Sequence, residues 1–261
     1  CMGQEIGSFF NMMADRGYLD LDTRTGKAGG GFCTSFADHG VPFVFANFNG
    51  TKHDVEVFTH EIGHAFQNWR SRSKPIIDYI WPTYESCEIH SMSLEFLTWP
   101  HMELFFKEDA ERFCKVHLTE SLIFLPYGVA VDEFQHLVYA NPSASPDERA
   151  AMWKEVESRY MPWRQYGDIN YPATGRRWQL QRHIYGMPFY YIDYTLAQTC
   201  ALQFWVQANQ NREDAMNRYV NLCTRGGEAP FQDLARSAGV ISPLKEGCLK
   251  DVVKEARKFL S

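Results

Sequence analysis

The chain has 261 residues, 45% of them hydrophobic and 22% charged, with a formal net charge of −6 at pH 7. These values are ordinary for a globular protein that buries a substantial core in one large domain or two small ones. The negative charge and the lack of a lysine or arginine block argue against nucleic acid as the natural partner.

The longest apolar runs, such as residues 41–48, are too short to span a bilayer, so we expect no membrane anchor. The first residues lack the basic and apolar stretches of a secretory signal. The seven cysteines are scattered without a CxxC pair, which is typical of reduced thiols and disfavours a cysteine-based zinc site. We therefore expect a cytoplasmic protein.

After a predicted N-terminal helix, a glycine-rich segment at 26–31 leads into two predicted strands, 32–36 and 42–47. We expect a small sheet over residues 28–50. Lys27 lies among the glycines, but the residue order of a phosphate-binding loop is absent. A close approach of the glycine backbone to a neighbour explains this segment better.

The next predicted helix, 52–72, carries an H-E-x-x-H motif. Residues four apart lie on one face of a helix, so His60 and His64 can bind one metal ion, and we expect one Zn²⁺ per chain. Glu61 then points toward a water bound to that metal. The alternative is a chance pair of histidines on a solvated helix. Two residues can cap the start of this helix, Thr51 and Asp54.

A catalytic zinc site needs a third protein ligand. A helix predicted over 83–106, interrupted near Pro100, supplies the candidates. Spacing alone does not choose between Glu85 and Glu88, which share a helical face. The alternative is a row of surface carboxylates, but the apolar neighbours leave little of this helix free to face solvent. Buried carboxylates need a cation or hydrogen-bond partners. The candidates are Glu85, Glu88, His90 and Glu95.

The rest of the chain is predicted to be helical, with breaks at proline and glycine clusters. Pro126-Tyr127-Gly128 is expected to break one helix, and Ser145 to cap the next. The predicted fold class is therefore mainly α with a small β-sheet, in a single domain over 1–261 whose helical remainder covers 110–261. The predicted helices outside the motif region are 4–16, 147–160, 188–209, 212–224, 230–238 and 243–259.

A set of segments in fixed order carries a family pattern. They are Asn47–Thr51, the motif followed by Ala65 and Phe66, residues 88–96, residues 188–194, and Gly226-Gly227 with Pro230-Phe231. This ordered set resembles the oligoendopeptidase F family of zinc oligopeptidases, in the clan of thimet oligopeptidase. The resemblance covers essentially the whole chain. It implies a zincin-like core of a zinc metalloendopeptidase that hydrolyses internal bonds of short peptides.

The resemblance also implies roles for the acidic residues. Glu88 lies seven residues before Glu95, as the third ligand of the family does before a second glutamate. Glu88 is therefore expected to bind zinc and Glu95 to orient a ligand histidine, with Glu85 as the runner-up ligand. Glu61 is expected to be the general base, which takes a proton from the zinc-bound water and passes it to the leaving amine.

Three further residues match family positions that stabilise the oxyanion of amide hydrolysis, namely His183, Tyr191 and Tyr194. Without the resemblance, either tyrosine would be interpreted as an ordinary core residue. A one-residue slip of the match would put Tyr190 in place of Tyr191. We also expect an edge strand of the small sheet, near 42–47, to bind the substrate main chain.

Full members of the family are much longer, so we expect the N-terminal helical portion to be absent from this chain. A missing N-terminal segment or an oligomer partner would then meet exposed apolar surface. The alternative function is a catalytically impaired fragment that acts as a peptide- or partner-binding zinc module, with His90 the one nearby residue that could close a structural site. A third hypothesis is a zinc hydrolase that acts on a non-peptide amide.

Overall fold

The computed structural model describes residues 2–261 of the chain. They form two compact units: the first takes in the described residues up to Val116 together with Ala197–Ser261, and the second is His117–Leu196. Both units are mostly helical. Residues 2–261 contain three short strands, all of them in the first unit. The predicted mainly α fold with a small sheet is confirmed, while the single domain over 1–261 stays a prediction. Across residues 2–261, no helix combines the length and the apolar character that crossing a bilayer requires.

Several predicted helices match the structure to within one residue, including the helix with Ser145 as its N-cap. The last helix is shorter than predicted and begins at Lys250 rather than at 243. In chain order the helices are α1 Gln4–Asp15, α2 Lys52–Ser71, α3 Tyr84–Leu97, α4 Glu103–Phe106, α5 Ala110–Ala140, α6 Pro146–Tyr160, α7 His183–Gly186, α8 Tyr191–Gln210, α9 Arg212–Arg225, α10 Phe231–Ser237 and α11 Lys250–Leu260.

The sheet of the first unit consists of β1 (Leu19–Asp22), β2 (Phe32–Phe36) and β3 (Val41–Phe48). Its strand order is β1–β3–β2, with β1 parallel and β2 antiparallel to β3. The predicted strand 42–47 is therefore the central strand and not an edge, and the outer strand that directly precedes it is β2. The pairing of β1 with β3 slips between Asp20 and Asp22, which forms a bulge.

The strand β1 lies outside the predicted sheet at 28–50. Its sequence, Leu-Asp-Leu-Asp, alternates apolar and acidic residues with the period of a strand. On β3 the buried side chains are Pro42, Val44 and Ala46, so the face they share is the one that packs on the core. The signal that would have predicted β1 was the alternation of apolar and acidic residues over its four positions.

The helical segment that follows α2 is interrupted at Pro100, as predicted. α3 ends at Leu97, and a 3₁₀ turn, Trp99–His101, follows it. Pro100 has no N–H to donate and its ring clashes with the preceding turn of an α-helix, so the chain leaves the helix there. α4 is a separate helix of four residues.

In the second unit, the predicted break at Pro126-Tyr127-Gly128 is wrong, because α5 runs through it. Proline removes one helical hydrogen bond, but the helix on its C-terminal side is held by burial of Ala130, Val131 and Phe134 in a cluster around Trp153. A Cβ at Gly128 would overlap the side chain of Thr195. This glycine therefore permits a close helix contact and does not mark a turn.

Candidate metal centre

The helix that carries the motif is α2, and its start is fixed by Asp54. The Asp54 Oδ2 atom accepts hydrogen bonds from the backbone N–H groups of Asn49, Gly50 and Thr51 at 2.9, 2.6 and 3.0 Å. Thr51 and Asp54 together form a capping box, so both predicted capping residues take part. The helix then places the rings of the two motif histidines on one face, with centroids 5.0 Å apart.

Gly63 allows α3 to pack directly on α2. A Cβ at this position would lie 2.7 Å from the carbonyl oxygen of His90 and 2.7 Å from the Cα of Ser91. Since Cβ atoms do not approach backbone atoms this closely, only glycine fits between the two helices. The contact brings Glu88, two residues before His90, beside the motif.

Glu88 points at both motif histidines. Its Oε2 lies 3.2 Å from His60 Nε2 and 3.4 Å from His64 Nε2, and the Glu88 side chain is buried. Two imidazole nitrogens and one carboxylate oxygen are a common donor set of catalytic zinc, which leaves a position open for water. These three residues therefore fit a zinc ion. Within residues 2–261, these three side chains form the group of histidine, cysteine or acidic residues whose ligand atoms lie close enough together to hold one metal ion.

The three donors are held in place by further hydrogen bonds. Glu95 Oε1 lies 2.7 Å from His60 Nδ1, the arrangement in which a carboxylate orients a metal-binding imidazole. The Ser91 hydroxyl donates to Glu88 Oε2 at 2.9 Å, a contact that no sequence motif predicts. Glu85, the runner-up ligand, does not belong to the converging group.

The carboxyl groups and histidines of this site shift one another's pKa. Burial alone would lower the pKa of His60, but hydrogen bonds to Glu88 and Glu95 hold it well above its usual range. Burial alone would raise the pKa of Glu88, but His64 and His60 hold it well below its usual range. A protonated His60 therefore supplies the positive charge that a cation would bring, and a metal ion must displace that proton.

Glu61 lies beside this group and is 7% exposed. Burial raises the pKa of its carboxyl, so its carboxylate is a stronger base than that of an exposed glutamate. Its Oε1 faces the glycine-rich segment: a Cβ at Gly31 would be at ordinary contact distance from it, 3.6 Å, and only 2.9 Å from Val57 Cγ1 on α2. The expected close approach of this segment is therefore made to the motif helix itself.

His90, the other candidate on α3, is not part of the converging group. It is fully buried, and burial lowers its pKa to about 4, so the ring is neutral at physiological pH. Its backbone carbonyl accepts a hydrogen bond from the Tyr219 hydroxyl of α9 at 3.0 Å, and the Tyr219 ring stacks on Phe66 of α2. Tyr219 thus contacts both α2 and α3, and no local sequence pattern predicts this contact.

The three residues expected to stabilise the oxyanion lie in the second unit, in one aromatic cluster. The His183 ring centroid is 5.1 Å from that of Tyr191 and 5.6 Å from that of Tyr194. Tyr191 also packs on Tyr127, and burial raises its pKa. Tyr190 lies 4.8 Å from Tyr194, so the alternative tyrosine belongs to the same cluster.

The order of the chain's segments and this site point to one family of enzymes. The sequence model of peptidase family M3 matches residues 5–253. This chain belongs to peptidase family M3. M3 peptidases are metallopeptidases, so membership implies a metal ion, and His60, His64 and Glu88 are the donors available for it. No curated protein matches the chain.

Solved structures of M3 relatives have the same fold. One, named PZ peptidase A with an inhibitor, is 52% identical to this chain with a TM-score of 0.95. The match covers 99% of this chain and 46% of that one. Another, named as an oligoendopeptidase F from Bacillus anthracis str. Ames, is 50% identical with a TM-score of 0.88, over 99% of this chain and 43% of that one. The resemblance to oligoendopeptidase F is thus confirmed, and the chain spans a little under half the length of these relatives.

Proposed function

We propose that this chain is the catalytic part of a zinc-dependent endopeptidase that hydrolyses internal bonds of short peptides. The observation that carries the proposal is the convergence of His60, His64 and Glu88, next to the buried carboxyl of Glu61. This donor set fits one Zn²⁺ per chain.

A bound zinc ion polarises the substrate carbonyl and lowers the pKa of water. Glu61 accepts a proton from the attacking water and delivers it to the leaving nitrogen, a role that its raised pKa favours. Glu95 Oε1 accepts the Nδ1–H of His60, which keeps the lone pair of His60 at Nε2 for the ion. His60, with Glu95 behind it, thus holds the ion, and Glu61 moves the proton.

The proposal extends, on the family resemblance, to His183, Tyr191 and Tyr194 as donors to the oxyanion. Because burial raises the pKa of Tyr191, its phenol keeps its proton at neutral pH and can donate it in a hydrogen bond. Single Phe variants at 190, 191 and 194 separate the two tyrosine assignments, since only a donor's loss lowers kcat.

The peptide is proposed to add as a strand to β2. This strand is at the edge of the sheet, and it follows directly after Gly31, whose backbone lies against Glu61. A peptide main chain that pairs with β2 would therefore pass the general base.

The proposed setting is a cytoplasm, because the six cysteines of residues 2–261 are free thiols. We further propose that a preceding segment or a second chain covers exposed apolar side chains of the first unit, such as Leu104 and Phe105.

The test uses a quenched fluorescent peptide blocked at both ends, so that only internal cleavage gives signal. Glu61→Gln should retain one zinc per chain by elemental analysis and lose about 10²- to 10⁴-fold in kcat. Glu56→Gln is the matched control, because Glu56 lies on the same helix but pairs with Lys52, and its rate should equal that of the wild type.

Two outcomes would contradict the proposal. A zinc-loaded Glu61→Gln protein that cleaves the peptide at the wild-type rate would remove Glu61 as the base. A zinc-loaded wild type that binds the peptide without cleaving it would favour the peptide-binding module instead.

A further inference from the structure

Lys27 is a lysine buried at the bulge of the small sheet. Its side chain is 1% exposed, although it belongs to the glycine-rich segment between β1 and β2. The ammonium donates to the backbone carbonyls of Asp20 at 3.0 Å, Asp22 at 2.8 Å and Ala46 at 2.5 Å. The register of β1 against β3 slips between Asp20 and Asp22. The ammonium therefore binds carbonyl groups at the site where the strand ladder is interrupted.

The charge of the buried ammonium is balanced at the same place. Asp20 Oδ1 lies 3.1 Å from Lys27 Nζ, and hydrogen bonds from Arg24 and Lys27 lower the pKa of Asp20 to about 2. The ring of Phe45 lies 4.4 Å from the ammonium on its other side. The three N–H donors of the ammonium thus face three carbonyls, one carboxylate and an aromatic ring, all of which favour a positive charge.

The glycine-rich segment is also bonded from the sheet side. Asn47, on β3, donates through Nδ2 to the carbonyls of Ala28 and Gly30, both at 2.8 Å. The end of the segment is held by Phe32, which stacks on Phe45 with ring centroids 4.9 Å apart. Residues 27–32 are therefore fixed at their start, middle and end.

The segment fixed in this way is the one that lies against the proposed general base. A Cβ at Gly31 would lie 2.9 Å from Val57 Cγ1 and 3.6 Å, an ordinary contact distance, from Glu61 Oε1, so the Gly31 backbone passes beside both side chains. A peptide bond held beside Glu61 would therefore also face the backbone of Gly31. The segment that contains this backbone is held by the hydrogen bonds of Lys27 and Asn47.

We propose that Lys27 is a positioning residue, which holds residues 28–31 where their backbone binds the substrate main chain beside Glu61. The proposal rests on the proposed function, since it assigns a binding task within the same site. The contacts of the Lys27 ammonium are with Asp20, Asp22, Ala46 and Phe45, none of which is a metal donor, so Lys27 acts through the segment that it anchors.

The test is Lys27→Met, which keeps the length of the side chain and removes its donors. NMR relaxation should show the backbone order parameters of residues 28–31 falling below about 0.6 from the value of about 0.85 of a rigid backbone, because a local anchor is lost. With the quenched peptide, KM should rise about tenfold with kcat nearly unchanged, because binding is lost equally in ground and transition states. Zinc content should stay at one per chain.

Asn47→Leu is the second variant, for use if Lys27→Met does not fold. It removes only the bonds to Ala28 and Gly30, and the same changes in order parameters and KM are expected. Arg24→Met is the control: Arg24 also binds Asp20, through both carboxylate oxygens, but is exposed and anchors no carbonyl of the segment. It should behave as the wild type.

Wild-type order parameters for residues 28–31 in both variants would overturn the proposal, and so would lowered order parameters with an unchanged KM. A fall in kcat at constant KM would overturn the binding role as well. If the wild type itself cleaves no peptide, the proposed function fails, while the order parameters still decide whether Lys27 anchors the segment.

Discussion

Replacing Gly63 by alanine adds one methyl group between the two helices that carry the metal donors. The new Cβ would lie 2.7 Å from backbone atoms of His90 and Ser91, whereas ordinary contact begins at 3.4 Å. Neither helix can move a backbone atom aside by a rotamer change. The helices must therefore separate by about 0.7 Å, the difference between 3.4 and 2.7 Å.

This separation is large compared with the tolerance of the site. Donor geometry must hold to roughly 0.5 Å, and Glu88 lies on the helix that moves, two residues from His90. Overpacking costs about 1–3 kcal/mol, of which the better helix propensity of alanine offsets about 1 kcal/mol. We expect Gly63→Ala to fold with stability lowered by up to about 2 kcal/mol and zinc affinity lowered at least tenfold, or about 1.4 kcal/mol.

Urea denaturation of the metal-free protein measures the first quantity, and zinc competition with a chromophoric chelator measures the second. Gly7→Ala is the control, since Gly7 lies within α1 and a Cβ there meets nothing within 4 Å. That variant should gain up to about 1 kcal/mol and keep its zinc affinity. A Gly63→Ala protein with wild-type stability and wild-type zinc affinity would refute the argument that helix contact sets the donor geometry.

Two further predictions concern the groups around the metal donors. Glu95→Gln should lower zinc affinity about 10- to 100-fold because His60 loses the carboxylate that orients it. Glu85→Gln should leave it unchanged in the same chelator competition, and equal losses in both variants would contradict the assignment. Zinc affinity of the wild type should fall as the pH is lowered through the raised pKa of His60, because a proton at Nε2 competes with the ion. Calorimetric titration with zinc across that pH range measures the change. In Glu95→Gln the affinity should begin to fall at a lower pH, because one of the groups that raise the pKa of His60 is gone. A zinc affinity that does not depend on pH would refute the proton competition.

The motif helix could be predicted in detail because its signals are local. Thr51 and Asp54 mark its start, and the four-residue spacing of His60 and His64 defines one face. The third donor was different, since spacing left Glu85 and Glu88 equal. The family resemblance selected Glu88, and in the structure it is the contact of α3 with Gly63 that brings it to the histidines.

The errors came from positions where a long-range contact overrides a local signal. Pro126 and Gly128 have the composition of a turn. They stay helical because the part of α5 that follows them is buried and because Thr195 packs closely on Gly128. β1 was missed because its alternation covers only four residues, and its pairing partner β3 comes after β2 in the chain. The bonds of Lys27 belong to the same class, because the carbonyls that bind it are separated from it in sequence.

The hydrogen bond from Tyr219 to the carbonyl of His90 spans 129 residues of sequence. A ribosome adding 5–20 residues per second needs roughly ten seconds to make that stretch. During this interval the nascent chain already contains both histidines and Glu88, but the helix that backs them does not yet exist. The contact that backs the metal donors therefore forms only after α9 has been made, later than the donors themselves.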